Sequence, residues 1–143
     1  MPQRHPEPER KAVMAADEPT TTPPDAAASA APRLVGADEL RFGTGRTRRF
    51  EGRDHGAGIS YFLVDNDPGQ GPGLHRHPYT ETWIVLEGEA RITIGDAELE
   101  ATAGDTATVP EHTWHGFTNS GTGRLRMVCI HASDVMIQEN LED

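Results

Sequence analysis

The sequence is poor in the residues that build cross-linked or membrane-spanning proteins. Its 143 residues include one cysteine, Cys129, so neither a disulfide framework nor a thiolate metal cluster can form within one chain. No stretch approaches the roughly 18 consecutive apolar residues that cross a bilayer. The N-terminus also lacks the apolar segment of a secretory signal. We therefore expect a cytoplasmic protein with no membrane partner.

Basic residues are scarce as well. Lysine and arginine together number 13, against 23 aspartates and glutamates, which gives a formal net charge of -10. A chain of this charge is repelled by nucleic acid and by anionic lipid surfaces. We therefore predict that neither is a partner. The cluster of Arg46, Arg48 and Arg49 is the local exception, and we interpret it as a solvated edge or a dimer contact.

Aromatic residues are absent from the first 32 residues, which differ in composition from the rest of the chain. This segment holds seven of the eleven prolines and has runs of alanine and threonine. Such a segment cannot bury enough apolar surface to offset the entropy of ordering it. We predict a disordered tail over residues 1–32 and one folded domain over residues 33–143.

Short apolar alternations separated by glycine-containing turns begin after residue 34. This pattern of short strands and turns predicts an all-β sandwich or barrel rather than a helical fold. Residues 135–141 fit either a helical turn or a closing strand. The predicted strands cover residues 59–64, 82–86, 90–94, 97–101, 106–109, 115–119 and 125–130.

Three histidines and a glutamate carry the spacing of a metal site. Residues two apart in a strand share a face, so His75 and His77 can both point inward. Glu81 follows at the same parity, and His115 lies at the start of a distant strand. Imidazole and carboxylate groups together suit a borderline divalent metal. A His-x-His pair alone is weak evidence, because such pairs are more often exposed or hydrogen-bonded.

The pattern around the first two histidines strengthens this interpretation. Gly69 is followed by five residues and then by His75 and His77. Three residues separate His77 from Glu81, and six residues separate Glu81 from Gly88. This stretch resembles the first motif of the cupin superfamily at every fixed position.

A second stretch resembles the other cupin motif. Gly104 is followed by five residues and Pro110, and His115 and Asn119 fill the later fixed positions. The departure is His112, where the motif has glycine. Because histidine adopts positive φ more readily than most residues, we expect His112 to be a turn residue and not a ligand.

The resemblance implies a double-stranded β-helix, the jelly-roll barrel of the cupins. It also implies that one divalent transition metal, which could be Fe, Mn, Ni, Zn, Cu or Co, is bound by His75, His77, Glu81 and His115. Nitrogen-rich ligands disfavour calcium and magnesium. Because barrels of this family commonly pair through an edge strand, we predict a homodimer.

Other side chains are candidates for the pocket around the metal. Glu81 is also a predicted catalytic residue. Tyr79 could act beside it as an acid, a base or a substrate donor, or it could pack at the barrel rim. His131 is a candidate base behind the ligands. Core packing is the competing interpretation for the predicted pocket-lining residues, which are Tyr61, Trp83, Val85, Phe117, Met127 and Cys129.

Two classes of function are compatible with this site. An intact four-ligand set favours an enzyme acting on a small organic substrate. Within that class we rank an oxygenase of the dioxygenase type first, and a metal-dependent isomerase, lyase or cyclase second. The alternative is a non-catalytic cupin that binds a metal or a small ligand as a sensor. Because fold does not determine reaction, the sequence leaves both open.

Overall fold

The structure is a computed structural model that describes residues 31–141. Nearly all of the predicted disordered tail, residues 1–32, lies outside the described residues, so that prediction stays untested. Two single-turn 3-10 helices occur at Ala37–Leu40 and Gly52–His55. The strands of the described part are β1 (Arg48–Phe50), β2 (Ser60–Asn66), β3 (His75–Arg76), β4 (Glu81–Glu87), β5 (Glu89–Ile94), β6 (Ala97–Thr102), β7 (Thr106–Val109), β8 (His115–Asn119), β9 (Leu125–His131) and β10 (Glu139–Asn140).

The strands form two five-stranded antiparallel sheets. One has the order β1-β2-β9-β4-β7 and the other has the order β10-β3-β8-β5-β6. This arrangement confirms the predicted all-β fold. Each predicted strand agrees with an observed one to within a residue or two at its ends. The chain between residues 135 and 141, which the sequence left open, contributes the short strand β10.

The core follows from the alternation of apolar residues along the central strands. In β9 the buried positions alternate with half-buried ones from Leu125 through Met127. In β4, Trp83 and Val85 are buried in the same way. Trp83 lies opposite Cys129, and Val85 lies opposite Met127. These cross-strand pairs give the first sheet one apolar face, which packs toward the interior of the barrel.

Two turns explain fixed positions of the motifs. Gly88 has φ of 93°, and a Cβ there would lie 2.3 Å from the carbonyl oxygen of Arg124, so only glycine fits. His112 has φ of 56°, as predicted for a residue that replaces glycine. Its backbone N–H donates to the carbonyl oxygen of His77 at 2.7 Å, which ties this turn to the metal-site segment.

Over residues 31–141, none of the helices has the length and apolar character needed to cross a bilayer.

Candidate metal centre

The four side chains singled out by the motifs meet between the two sheets. His75, His77, Glu81 and His115 are all buried, and each offers one ligand atom within 4.8 Å of the others. His75 on β3 lies directly opposite His115 on β8. His77 follows β3, and Glu81 begins β4 in the other sheet. The cluster therefore joins both sheets of the barrel.

The parity argument for Glu81 was wrong, although it named the right residue. We predicted that His77 and Glu81 lie on one continuous run of alternating side chains. In the structure β3 ends at Arg76, and the chain crosses through residues 78–80 to the opposite sheet before Glu81. Glu81 reaches the cluster because it faces inward from the second sheet. Alternation along a single strand plays no part in this.

Backbone carbonyls fix the protonation of all three imidazoles. A carbonyl oxygen can only accept a hydrogen bond, so each Nδ1 must carry a hydrogen, and each neutral ring leaves a bare Nε2. The Nδ1 atoms of His75, His77 and His115 lie 2.8, 2.7 and 2.7 Å from the carbonyl oxygens of Gly73, Ile137 and Thr113, respectively.

Glu81 presents its two oxygens to different surroundings. Oε2 accepts a hydrogen bond from Nε1 of Trp83 at 2.8 Å and lies 3.3 Å from Nε2 of His131. Oε1 lies 3.0 Å from Nε2 of His115 and 3.2 Å from Nε2 of His77. Oε2 thus contacts Trp83 and His131, and Oε1 faces the Nε2 atoms of His115 and His77.

Three of these atoms are buried without a hydrogen-bond partner among the described residues. They are Oε1 of Glu81 and Nε2 of His77 and His115. Lone pairs that face one another in a buried space are costly unless something satisfies them. A divalent cation accepts electron density from all of these donors at once. The residues present therefore fit a metal ion of the borderline type.

Ionisation states agree with this arrangement. Burial lowers the pKa of His75 to about 4, so its imidazole is neutral at physiological pH. His75 is therefore ready to bind a metal without first losing a proton.

Tyr79 contacts two histidines of the site: its ring stacks on that of His77 at 5.1 Å, and its hydroxyl contacts His131. Its hydroxyl lies 2.7 Å from Nδ1 of His131 and accepts a hydrogen bond from the backbone N–H of Ile137 at 3.1 Å. Tyr79 does not line the cavity beside the metal site, whereas His131 does. The catalytic role that we considered for Tyr79 stays a prediction. Its hydroxyl orients the imidazole that stands behind Glu81.

A cavity of about 690 Å³ opens from the metal site to the surface. His75, Glu81 and His131 line its inner end, which we call the floor. Of the predicted pocket-lining residues, Phe117 and Cys129 lie on its wall. Burial, and secondarily the charge of Glu81, raises the pKa of Cys129 well above its ordinary value. Cys129 is therefore a protonated thiol and not a thiolate ligand.

Other predicted wall residues lie elsewhere. Trp83, Val85 and Met127 are buried in the core and are not part of the cavity lining. Tyr61 points to the other face of its sheet, where its ring stacks on Phe50 at 5.0 Å. The prediction for Tyr61 was wrong by one residue in register. Its neighbours Phe62 and Val64 line the cavity instead.

The mouth of the cavity contains residues that the sequence did not connect with the site. A loop of residues 42–47, which we call the mouth loop, places Arg46 at the lining. Arg46 donates to Asp65 at 3.1 Å and to Asp67 at 2.7 Å. We had interpreted Arg46 as a solvated edge or dimer contact, so its position at the cavity is a correction. No local signal in the sequence pairs residues about twenty positions apart.

Comparison with known proteins agrees with the geometry. Residues 62–131 match a family model described as Cupin domain. An uncharacterized double-stranded beta-helix protein from Klebsiella pneumoniae is similar in structure, with a TM-score of 0.61 and 27% identity over 78% of this chain and 93% of that one. A variant of Bacillus subtilis oxalate decarboxylase has a TM-score of 0.61 and 25% identity over 66% of this chain and 27% of that one.

Curated sequences give a similar result. Mannose-1-phosphate guanylyltransferase 2 of Escherichia coli O157:H7 is 27% identical over 94 residues, which cover 65% of this chain and 20% of that protein. The chain spans less than half the length of the curated relatives it matches. The family match, the paired sheets and the double-stranded β-helix neighbours confirm the predicted resemblance, and the chain is a member of the cupin superfamily.

Proposed function

We propose that His75, His77, Glu81 and His115 bind one divalent transition metal ion, and that the protein is an enzyme acting on a small organic substrate in the cavity above it. The observation that carries the proposal is the convergence of buried, unpaired Nε2 and Oε1 atoms on one point. A purely structural cluster would pair these atoms with donors.

The chain's own residues prepare this site for chemistry. A bound ion of this class supplies Lewis acidity or, if it is redox-active, electron transfer to oxygen. Trp83 and His131 contact Oε2 of Glu81, which leaves Oε1 to face His77 and His115. Phe117 adds an apolar wall to the cavity beside the site. These features hold the ligands in one geometry before the metal or the substrate arrives.

An oxygenase of the dioxygenase type is the reaction class that we propose first. Three imidazoles and one carboxylate form a donor set that suits Fe, Mn, Ni, Co, Cu or Zn. Most of these metals are redox-active, and the structurally similar oxalate decarboxylase of Bacillus subtilis contains Mn(II) centres. A metal-dependent isomerase, lyase or cyclase is our second proposal. A non-catalytic metal or ligand sensor is the alternative outside the enzyme class.

Metal binding is tested by purifying the full chain without chelators and measuring its metal content by mass spectrometry. We expect about one transition-metal ion per chain in the wild type and none in His75→Ala. His112→Gly is the matched control, because it removes an exposed imidazole near the site and relieves a positive φ. The control is expected to keep the wild-type metal content. An equal metal content in His75→Ala would overturn the proposed ligand set.

Catalysis is tested by anaerobic reconstitution with Fe(II), followed by measurement of oxygen uptake with phenols, enols and diketones. We expect uptake that depends on the substrate and is abolished in His75→Ala. Stoichiometric metal without turnover of any substrate would favour the sensor instead. Turnover without oxygen consumption, or with zinc as the resident metal, would favour the isomerase, lyase or cyclase.

We also propose that the protein is a homodimer. The outer strand β1 carries Arg48 and Arg49 at one edge of its sheet, where a second copy could pair. Light scattering coupled to size-exclusion chromatography is expected to give about 31 kDa, twice the chain mass of 15.6 kDa. A species of 15.6 kDa alone would contradict this proposal.

A further inference from the structure

The cavity above the metal site is large for the smallest substrates of metal enzymes. Its volume of about 690 Å³ lies within the range of roughly 300 to 1,000 Å³ that is usual for sites of drug-sized ligands. A small anion of a few atoms would touch the floor and leave most of the wall without a contact. The character of that wall therefore indicates what fills it.

One side of the cavity is apolar and partly uncovered. Phe62 and Val64 on β2 and Phe117 on β8 line it, and Phe42 is added from the mouth loop. The ring of Phe42 packs edge-on against Phe62 at 5.3 Å, yet Phe42 remains 45% exposed. A half-exposed aromatic ring beside a cavity gains most from a flat apolar partner that covers it.

Charge in the lining does not favour an anionic substrate. Among the described lining residues, Arg46 is the cationic side chain, and both Asp65 and Asp67 neutralise it. Asp65 is held on its other side by Arg124. Together with Glu81 at the floor, the carboxylates of the lining outnumber its guanidinium groups. A dianion would meet no unpaired cationic side chain on its way to the metal.

We infer that the substrate is an uncharged, flat and largely apolar molecule with an oxygen donor of the phenol, enol or diketone type. Its ring would lie against Phe42 and Phe62, and its oxygen would face the metal held near His75 and Glu81. A small dicarboxylate such as oxalate is disfavoured at this site. The inference rests on the proposed function for the role of the metal, while the ring contact depends on the wall alone.

Three probes separate the contributions of ring and charge. The probe 2-acetyl-1-naphthol is flat and uncharged and presents two oxygens, acetylacetone presents a similar oxygen pair without a ring, and oxalate is the small dianion. Calorimetric titration of the metal-loaded full chain is expected to give at least tenfold tighter binding for the naphthol than for acetylacetone. Oxalate is expected to bind more weakly than the naphthol. Oxalate as the tightest of the three probes would overturn the inference.

Two exposed positions provide variants that leave the core intact. Phe42→Ala is expected to weaken naphthol binding at least fivefold and to leave the affinity for acetylacetone unchanged. Asp67→Asn removes one of the two carboxylates that neutralise Arg46, and it is expected to tighten oxalate binding at least threefold without changing acetylacetone binding. No effect of Phe42→Ala on the naphthol would contradict the proposed ring contact.

Failure of the inference can be distinguished from failure of the proposed function. The naphthol and acetylacetone titrations are repeated on the metal-free protein, where the wall of Phe42 and Phe62 is still present. Suppose that the naphthol preference depends on Phe42 in the metal-free protein and that the wild type binds no transition metal. This result would support the inferred ligand class and overturn the metal enzyme. Normal metal content without dependence on Phe42 would overturn the ligand class alone.

Discussion

The floor and the mouth of the cavity are built on opposite principles. At and behind the floor, the ligands His75, His77 and His115 are buried, and each Nδ1 donates to a backbone carbonyl. At the mouth, Arg46 and Asp67 form an exposed ion pair on a loop. Buried polar groups are held in one geometry because leaving them unpaired is costly, whereas exposed pairs are screened and replaceable. The floor is therefore suited to fixed chemistry and the mouth to selection of the ligand.

Removing the carboxylate at the floor is expected to have the largest effect. Glu81→Gln keeps the shape of the side chain but removes the anionic donor that faces two imidazoles. We expect metal affinity to fall by more than about 100-fold, which exceeds the loss typical of groups that only support a ligand. Competition with a chromogenic chelator measures the affinity. Glu111→Gln, at an exposed turn, is the control and is expected to bind like the wild type.

Acid is expected to lower the stability of the protein through His75 at the floor. The pKa of His75 is about 4 in the folded protein, against about 6.5 in an unfolded chain. As the pH falls, the unfolded chain therefore binds this proton before the folded protein does. The stability that neutral His75 contributes is complete above pH 6.5 and declines toward pH 4. For His75 the free energy of unfolding falls by at most about 3 kcal/mol across that window.

Urea denaturation of the metal-free protein between pH 4 and 7 measures this decline. His75→Gln is expected to flatten the profile, and His55→Gln, at the end of the helix Gly52–His55 and away from the metal site, is expected to leave its pH dependence unchanged. A wild-type profile that is level from pH 7 to 4 would contradict the neutral, buried state of His75.

The support behind Glu81 is expected to matter less than Glu81 itself. Trp83→Phe keeps an aromatic ring in the core but removes the N–H that donates to Oε2. We expect metal affinity to fall by about 10-fold, within the range for groups that orient a ligand. Trp114→Phe, on a half-buried indole outside the cluster, is the matched control. Unchanged affinity in Trp83→Phe would show that the Trp83 N–H does not orient the carboxylate.

The mouth is expected to give the smallest effect on stability. Arg46→Gln removes the solvent-exposed ion pair to Asp67 and the pair to Asp65, which keeps Arg124 as a second partner. We expect a small decrease in the urea midpoint at low salt that disappears at about 1 M salt. A large decrease in the urea midpoint that persists at high salt would mean that the mouth loop contributes to the core. The mouth would then not differ from the floor in its effect on stability.

The metal ligands could be predicted because their spacing in the sequence is rigid. His75 and His77 flank a single outward residue, and both motifs set the distances to Glu81 and His115. The sequence also named His131 as a candidate behind the ligands, but it did not predict the contacts of that residue. His131 meets Glu81 across β9 and β4, and Tyr79 meets His131 across 52 residues of sequence. Such contacts depend on strand pairing, which no local pattern specifies.

Tyr61 shows how a small error in register changes a prediction. Its strand was predicted nearly correctly, over residues 59–64, and it is observed at Ser60–Asn66. Because side chains alternate between faces, choosing Tyr61 instead of Phe62 moved the predicted wall to the outside of the sheet. The aromatic pairing of Tyr61 with Phe50 on β1 explains why an aromatic residue is also favourable on that face.

By itself, the sequence determined that this protein is an all-β cupin whose two motifs supply three imidazoles and a carboxylate. Alternation, turn residues and ligand spacing are local properties, and local properties can be read from neighbouring positions. Only the tertiary structure decided which oxygen of Glu81 faces those imidazoles and which aromatic rings line the cavity. It also placed Arg46 between Asp65 and Asp67. These features require distant strands and loops to meet, and their meeting depends on the packing of the whole barrel.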